Sequence, residues 1–559
     1  MDNSTPVALL TAGSRAAEMF PKLTGAEIAR IEAHGQQRPV KAGEVLVQEG
    51  ERTSRFFVVI SGQLELTHRS CDGEQLIGVL EPGMFSGEVT MLSGHRGFAR
   101  IQAARESAVI EVNRQDLLAL VQTDSELSDV LMRAFLLRRV ELIAQGFGDA
   151  VLVGSNHSSG TLRIKEFLTR NGHPYSYVDL DHAPDIQSIL DHFHLTVQDV
   201  PVLICRGEHV LRNPSNRQIA DCLGFNESID QTELRDVVII GAGPAGLAAA
   251  VYAASEGLNV LVAESNLLGG QAGSSSKIEN YLGFPTGISG QELATRAYAQ
   301  AEKFGAQFMF AKGAQRLLCE RKPYVIETED GARVSTRTVI IATGAQYRRL
   351  DVQNLSQFEG LGVYYGATFV EAQMCGREEV VVVGGGNSAG QAAAFLAQTA
   401  RRVHILVRSN GLADSMSRYL IRRLEENPNI TLRTQTEIQQ LDGGGHLERV
   451  VWKDNRTGQC EDHDIRHVFV MTGAIPCTEW LNGCVALDAN GFVKTGTDLS
   501  REDLAAAKWP LSRVPYLLET SLPGIFAVGD VHVGSLKRVA SAVGDGSIAI
   551  AFVHKVLHE

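Results

Sequence analysis

Short apolar runs rich in valine and isoleucine recur along this chain, each ending at a glycine turn or a polar break. Val237-Val-Ile-Ile, Val339-Ile-Ile, Val380-Val-Val-Val and Val468-Phe-Val are the clearest, and their length and β-branching predict strands. An alanine-rich stretch at helical spacing follows the first of them, and Asn259-Val-Leu-Val-Ala-Glu264 reads as the next strand. Earlier in the chain the pattern differs. Short alternating strands punctuated by Gly43, Gly50, Gly62, Gly78 and Gly83 predict a small antiparallel β-roll, and leucine-rich helices follow it over residues 113–146. A polar lead with a helix over residues 11–20 precedes the roll. From residue 150 the order becomes strand (150–154), helix (162–168), strand (174–180), helix (185–193) and strand (199–205), and a polar linker covers 227–234.

The strand entering Gly241 opens a dinucleotide fingerprint. Gly241 permits the tight turn, Gly243 lets a pyrophosphate approach the backbone, and Gly246 lets helix and strand pack closely. Pro244 and Ala245 open the helix, whose N-terminus offers unpaired N–H groups and the positive end of its dipole. Glu264 stands 18 residues beyond Gly246, where an acid can accept from a ribose diol. A second fingerprint runs Gly384-Gly385-Gly386-Asn387-Ser388-Ala389. The equivalent of Glu264 falls on Val407, with Arg408 beside it. An arginine in place of an acid favours NADPH over NADH, although NADH stays open. The null expectation for Arg418, Arg422 and Arg423 is a solvated helix face. Thr343-Gly344 lies between the fingerprints and Gly473-Ala474 after the second. Gly529-Asp530 comes near the end, its acid suited to a ribityl hydroxyl. This order predicts one nucleotide domain inserted into another.

The length of 559 residues requires several domains. A net charge of −13 argues against wholesale binding of nucleic acid or anionic membrane, and no helix-turn-helix follows the roll. No apolar run of membrane-spanning length and no signal-peptide pattern is found at the start, so a cytoplasmic location is expected. The eight cysteines (Cys71, Cys205, Cys222, Cys319, Cys375, Cys460, Cys477 and Cys484) form no C-x-x-C, and neither a disulfide framework nor a metal site is expected.

Three resemblances then organise the chain. Residues 1–146 hold a segment that resembles the cyclic-nucleotide-binding domain family, on the glycine turns and on Phe85-Ser86-Gly87-Glu88-Val89. That resemblance implies an effector site at Gly87, Glu88 and Arg96, although Arg96 falls one position early. A nucleotide site and a roll kept for packing or dimerisation both stay open. Residues 149–226 resemble the thioredoxin/glutaredoxin fold, with Pro201 at its cis-proline position. Ser155-Asn-His157-Ser158 replaces the redox cysteines, which predicts binding or scaffolding rather than electron transfer.

Residues 235–559 resemble the low-molecular-weight thioredoxin reductase family, on Gly269-Gly270-Gln271 and on Lys277-Ile-Glu-Asn280-Tyr-Leu-Gly-Phe-Pro285 as well as the fingerprints. The implied division is an FAD domain at 235–346 and 474–559 with an NAD(P)H domain at 347–473. FAD would lie on Gly241, Gly243, Pro244, Ala245, Gly246, Glu264, Gly270, Gln271, Asn280, Thr343, Gly344, Gly529 and Asp530, with Arg538, Val539 and Ala540 near its ring. NADPH would lie on Gly384, Gly386, Asn387, Ser388, Ala389 and Arg408. The family's catalytic dithiol is replaced by Gly366 and Phe369, so no catalytic residue is assigned, and Cys375 is expected as a buried thiol on or near the following strand. The expected fold class is thus multidomain α/β: a β-roll with helices, a thioredoxin-like domain, and two Rossmann-like domains, one inside the other. The expected function is a flavin oxidoreductase regulated by a cyclic nucleotide at its N-terminal domain, whose acceptor is a disulfide, a small redox protein or a quinone-like molecule, in a homodimer. The alternative is a non-catalytic flavoprotein sensor.

Overall fold

The computed structural model describes residues 16–51, 55–70, 73–88, 90–93, 97–145, 150–155, 158–180, 199–205, 209–226, 230, 232–275, 277–367, 369–481 and 483–559. The expected helix at 185–193, and Arg96 and His157, lie outside these residues, as does the first half of the helix at 11–20, of which Ala16–Met19 is helical.

The roll consists of two antiparallel sheets. One holds Gln36–Val40, Ser107–Asn113 and Arg55–Ser61, and the other holds Val45–Val47, Arg100–Ala103, Leu64–Ser70 and Gly73–Leu80. Two helices follow, Arg114–Thr123 and Ser125–Gln145, as the leucine spacing predicts. The first begins where the Asn113 side chain accepts the Asp116 N–H, a cap that satisfies one orphan donor. Phe135, on the second helix, packs in one core with Phe56 and Phe85.

The middle segment forms a four-stranded sheet in the order His209–Arg212, Val202–Cys205, Ala150–Gly154, Ser176–Asp179; only the last pair is parallel. The Val200–Pro201 peptide is cis. Its helices, Ser159–Arg170 and Asn216–Leu223, bury Ile164, Phe167, Leu168, Ile219 and Leu223 in the same continuous core as the alanines of the next domain. An aromatic line continues the packing in both directions. Phe98 of the roll meets the His173 ring at 5.4 Å, His173 meets Phe225 at 5.4 Å, and Phe225 meets Phe310 at 5.7 Å.

The first Rossmann-like sheet runs Gln307–Phe310, Val260–Glu264, Arg235–Ile240 and Arg333–Ile341 in parallel. Strand Ile525–Ala527 adds to Arg333–Ile341 from the far side of the intervening domain, so that domain is an insertion. The inserted sheet is parallel throughout: Val363–Tyr364, His467–Val470, Glu379–Val383, Arg402–Val407 and Ile430–Thr434. The two chain crossings pair with each other, Ala345–Tyr347 against Ala474–Pro476.

Two expectations are corrected here. Cys319 and Cys484 form a disulfide at a sequence separation of 165, with the whole insertion inside the loop. Residues so far apart in sequence give no spacing signal, so the pair is legible only in the fold. The C-terminal helix Val539–His558 has the length and apolarity to cross a membrane, with a mean hydropathy of 1.3, contrary to the expectation that no such segment exists. Its small and apolar face (Ala542, Gly546, Ala549, Val553) is buried in the core with the Pro244–Ser255 helix. A Cβ on Gly546 would stand 2.3 Å from the Ala245 carbonyl oxygen, closer than two bodies can pack. This is the packing of a core helix.

Candidate dinucleotide sites and the residues around them

At the first fingerprint each glycine has the role its position predicts. Gly241 has φ +107°, and a Cβ there would lie 2.4 Å from the Ala342 carbonyl oxygen. A Cβ on Gly246 would lie 1.9 Å from the Gly241 carbonyl oxygen, so helix and turn touch. Beside Gly243 the space is open, the nearest atom to its Cβ position being the Gly270 Cα at 3.9 Å. Pro244 opens the helix Pro244–Ser255, and no side chain caps it. The uncapped dipole end beside an open backbone fits a pyrophosphate.

Glu264 ends its strand buried. Its carboxylate accepts from the N–H groups of Ala242 (2.7 Å), Asn266 (2.8 Å) and Leu267 (3.2 Å), which ties the strand end to the fingerprint turn. Gln271 donates to the Ala345 carbonyl at 2.6 Å, and the Thr343 hydroxyl donates to the Cys477 carbonyl at 2.8 Å. Asn280, Arg538 and Ala540 are exposed, and Arg538 stands at the N-cap of the C-terminal helix that Val539 opens. Gly529 has φ +70°, and its N–H donates to Asp545 at 3.1 Å. These residues line one edge of the sheet and fit a dinucleotide with one ribose diol at Glu264.

Burial holds the Asp530 carboxyl above the usual carboxylate range; Lys537 and His532 pull the other way. A raised carboxyl pKa means that ionisation opposes folding: the cost is absent below the ordinary pKa and appears in full above the folded one. Asp530→Asn is therefore expected to raise the melting temperature of flavin-free protein at pH 7, with the gain shrinking towards pH ~4. Scanning fluorimetry across that range checks it; a gain independent of pH would contradict it.

The second fingerprint repeats the design. Gly384 has φ +141° and packs on the Met471 carbonyl, while Gly386 has nothing within 4 Å of its Cβ position. The helix Asn387–Leu396 starts uncapped. The Asn387 carbonyl oxygen of the side chain accepts the Ser417 N–H at 2.8 Å, and Ala389 is buried. Arg408 follows the strand Arg402–Val407 with its side chain 81% exposed and only a 3.9 Å approach to Glu437. A free guanidinium beside an open turn fits a 2′-phosphate.

Sequence reasoning missed two residues between the sites. Tyr347, on the crossing strand, stands beside Ser388 of the second fingerprint; burial pushes its phenol up, and the nearby charge of Asp530 adds to that. Arg423 is exposed, as Arg418 and Arg422 are and as a solvated helix face requires, and it also pairs with Glu279 of the first domain at 2.7 Å, a contact that no sequence signal showed. Gly366 faces the first domain, with the Ser274 Cβ 3.3 Å from its own Cβ position. Phe369 starts the helix Phe369–Met374. Cys375 follows this helix rather than lying on a strand, fully buried, with burial pushing its thiol up to about 12.

In the roll, Gly87 has φ +97° and its carbonyl accepts from Arg138 at 2.6 Å. Glu88 pairs with Arg139 at 3.6 Å. Both arginines are buried on the Ser125–Gln145 helix, Arg138 between the rings of Phe20 and Phe85 and Arg139 over Phe98. Arg96, which the resemblance implies for a cyclic phosphate, lies outside the described residues; the helix brings two arginines to this turn that no motif announced.

The model of the pyridine nucleotide-disulphide oxidoreductase family matches residues 235–546, more than half of the chain. The chain belongs to this family. A cyclic nucleotide-binding domain model matches residues 37–124. The chain is 36% identical over 323 residues to a thioredoxin reductase of Mycolicibacterium smegmatis, covering 58% of this chain and 96% of that one. It is 31% identical over 368 residues to NADPH-dependent thioredoxin reductase 3 of Arabidopsis thaliana, covering 63% and 65%. Among solved structures, the thioredoxin reductase of T. acidophilum matches with a TM-score of 0.52 at 30% identity, covering 58% of this chain and 99% of that one. The protein is thus a thioredoxin reductase-like flavin oxidoreductase with a cyclic-nucleotide-binding domain in front, in a family that uses FAD and NAD(P)H.

Proposed function

We propose that this oxidoreductase takes reducing equivalents from NADPH at the second fingerprint, holds FAD at the first, and delivers electrons to an external acceptor. The observation that carries the reading is the coexistence of two open, uncapped fingerprint turns with a glycine where the family's dithiol begins. When bound, the flavin accepts a hydride from the nicotinamide and releases electrons to the acceptor. The chain's own residues position and select. Glu264 and Asp530 offer acceptors to ribose and ribityl hydroxyls, Arg408 offers a cation to a 2′-phosphate, and the Arg423–Glu279 pair joins the two domains in the present arrangement. The acceptor is a disulfide, a small redox protein or a quinone-like molecule.

The roll is the effector domain in this reading, with a cyclic nucleotide meeting the Gly87–Glu88 turn. The middle segment, strand–helix–strand with a cis-proline before its next strand, is a thioredoxin/glutaredoxin-like domain without the redox cysteine pair, which docks rather than shuttles. A homodimer in the cytoplasm completes the proposal. The absence of a cysteine pair both after the middle domain's first strand and at positions 366 and 369 favours one rival, a flavoprotein sensor that does not turn over.

Anaerobic titration of the purified protein with NADPH separates the two. Stoichiometric bleaching of the flavin absorbance within seconds is the expected result. Reduction slower than about one event per hour, against the ~10 per second of an ordinary enzyme, would leave only the sensor.

A further inference from the structure

The helix Ser159–Arg170 ends against the loop that faces the first fingerprint. Arg170 is its last residue, buried although charged. Its Nη2 donates to the Gly270 carbonyl and, at 3.4 Å, to the Leu268 carbonyl, while Nη1 reaches Glu166 at 3.2 Å. The junction is reinforced on both sides. The Asn171 side-chain oxygen accepts the Leu268 N–H at 3.3 Å, and Gln291 donates to the carbonyls of Thr169 and Arg170, each at 3.1 Å. Gly270, in turn, lies 3.1 Å by its Cβ position from the Gly243 Cα, so this loop is the wall opposite the fingerprint backbone.

We propose that Arg170, from outside the reductase part of the chain, is a positioning residue for the dinucleotide at the first fingerprint. The proposal rests on the reading that FAD binds there. In a trans peptide the C=O and the following N–H point in opposite directions. The Leu268–Gly269 peptide shows the consequence: its oxygen faces Arg170 and its Gly269 N–H donates to the Ala242 carbonyl of the fingerprint at 2.8 Å. The Gly270–Gln271 peptide is held in the same way. With its oxygen on Arg170, its N–H is turned to the fingerprint side, where a donor serves an anionic pyrophosphate. Gly269 (φ +86°) and Gly270 (φ +53°) give the loop little intrinsic preference for this shape, so the guanidinium fixes what the glycines leave free. The middle segment, without the redox cysteine pair, therefore shapes the flavin site as a wall.

The test uses full-length protein stripped of flavin and titrated with FAD by fluorescence quenching, alongside the melting temperature of the flavin-free form. Arg170→Ala is expected to weaken FAD about tenfold or more, the loss of charge-assisted hydrogen bonds. Arg170→Lys, which keeps the charge and one donor, recovers part of that loss. An FAD affinity within twofold of wild type in both variants, with only the melting temperature lowered, would show a structural role alone and overturn the proposal. If the Ala variant does not fold, the Lys variant decides: weakening of about threefold supports positioning and none overturns it. Wild-type protein that takes up no FAD sinks the underlying reading and the proposal together, whereas tight FAD in wild type and variants alike sinks the proposal alone.

Discussion

Oxidised thioredoxin is expected to leave the NADPH-reduced protein reduced, and the double substitution Gly366→Cys with Phe369→Cys is expected to raise thioredoxin turnover about a hundredfold over that background. The first half follows from the thiols that remain. A thiolate is the species that attacks a disulfide, and at pH 7 a thiol at about 12 is ionised on the order of one part in 10⁵. That removes Cys375, which is also fully buried. Burial raises the Cys477 thiol as well, and Cys319 and Cys484 are already joined to each other. The second half follows from geometry at position 366. Its backbone is not in the left-handed region, and a Cβ there would lie 3.3 Å from the Ser274 Cβ, a contact that a shift of a few tenths of an ångström relieves. The new thiol would thus stand against the segment Ala272–Ser274, directly after Gln271 of the flavin site. Stopped-flow re-oxidation of the flavin band by thioredoxin reads both halves, with restored rates expected on the order of 0.1–10 per second. Wild-type protein that re-oxidises at such rates would mean that electrons reach a partner's disulfide without an internal relay.

Local signals were legible and distant ones were not. A fingerprint is a contiguous run of glycines whose spacing states its own geometry, so the tight turn at Gly241 and the close helix packing at Gly246 could be expected before any coordinates, and a Cβ at these two positions would stand 2.4 and 1.9 Å from backbone oxygens. Both roll helices were equally readable from leucine spacing. What failed was pairing across the chain. Cys319 and Cys484 are 165 residues apart, Arg423 and Glu279 are 144 apart, and Arg170 and Gly270 are 100 apart. Each pair looks ordinary in sequence: a scattered cysteine, an exposed arginine on an amphipathic helix, an arginine at a helix end. Only the fold gives them partners: the two halves of the interrupted domain meet in the disulfide, and the docking of one domain on another pairs the two arginines. The same holds in the roll, where the arginines at the Gly87–Glu88 turn come from a helix 51 positions later.

Replacing Arg408 by glutamine is expected to raise the KM for NADPH about 10- to 100-fold while leaving that for NADH nearly unchanged. The size follows from the charge-assisted hydrogen bonds lost, about 1.5–3 kcal/mol, with tenfold in affinity for each ~1.4 kcal/mol. The selectivity follows from the site. Val407 is buried at the strand end where an acid would hold a free 2′-hydroxyl, so NADH gains nothing there in the native chain. Arg408 has no close partner to give up: Glu437 approaches only to 3.9 Å, and the side chain is 81% exposed. Exposure also sets the salt response. A phosphate met by a solvated guanidinium is screened within a Debye length of ~8 Å at physiological ionic strength, so the native preference for NADPH should narrow as salt rises. Arg408→Gln should flatten that dependence, because the charge that salt screens is gone. Steady-state rates with both nucleotides at two ionic strengths measure all of this together. Equal losses for NADPH and NADH would place Arg408 outside the nucleotide site. In that case the positive field at the second fingerprint would have to come from Arg418 or Arg422, the exposed cations of the neighbouring helix Arg418–Glu425.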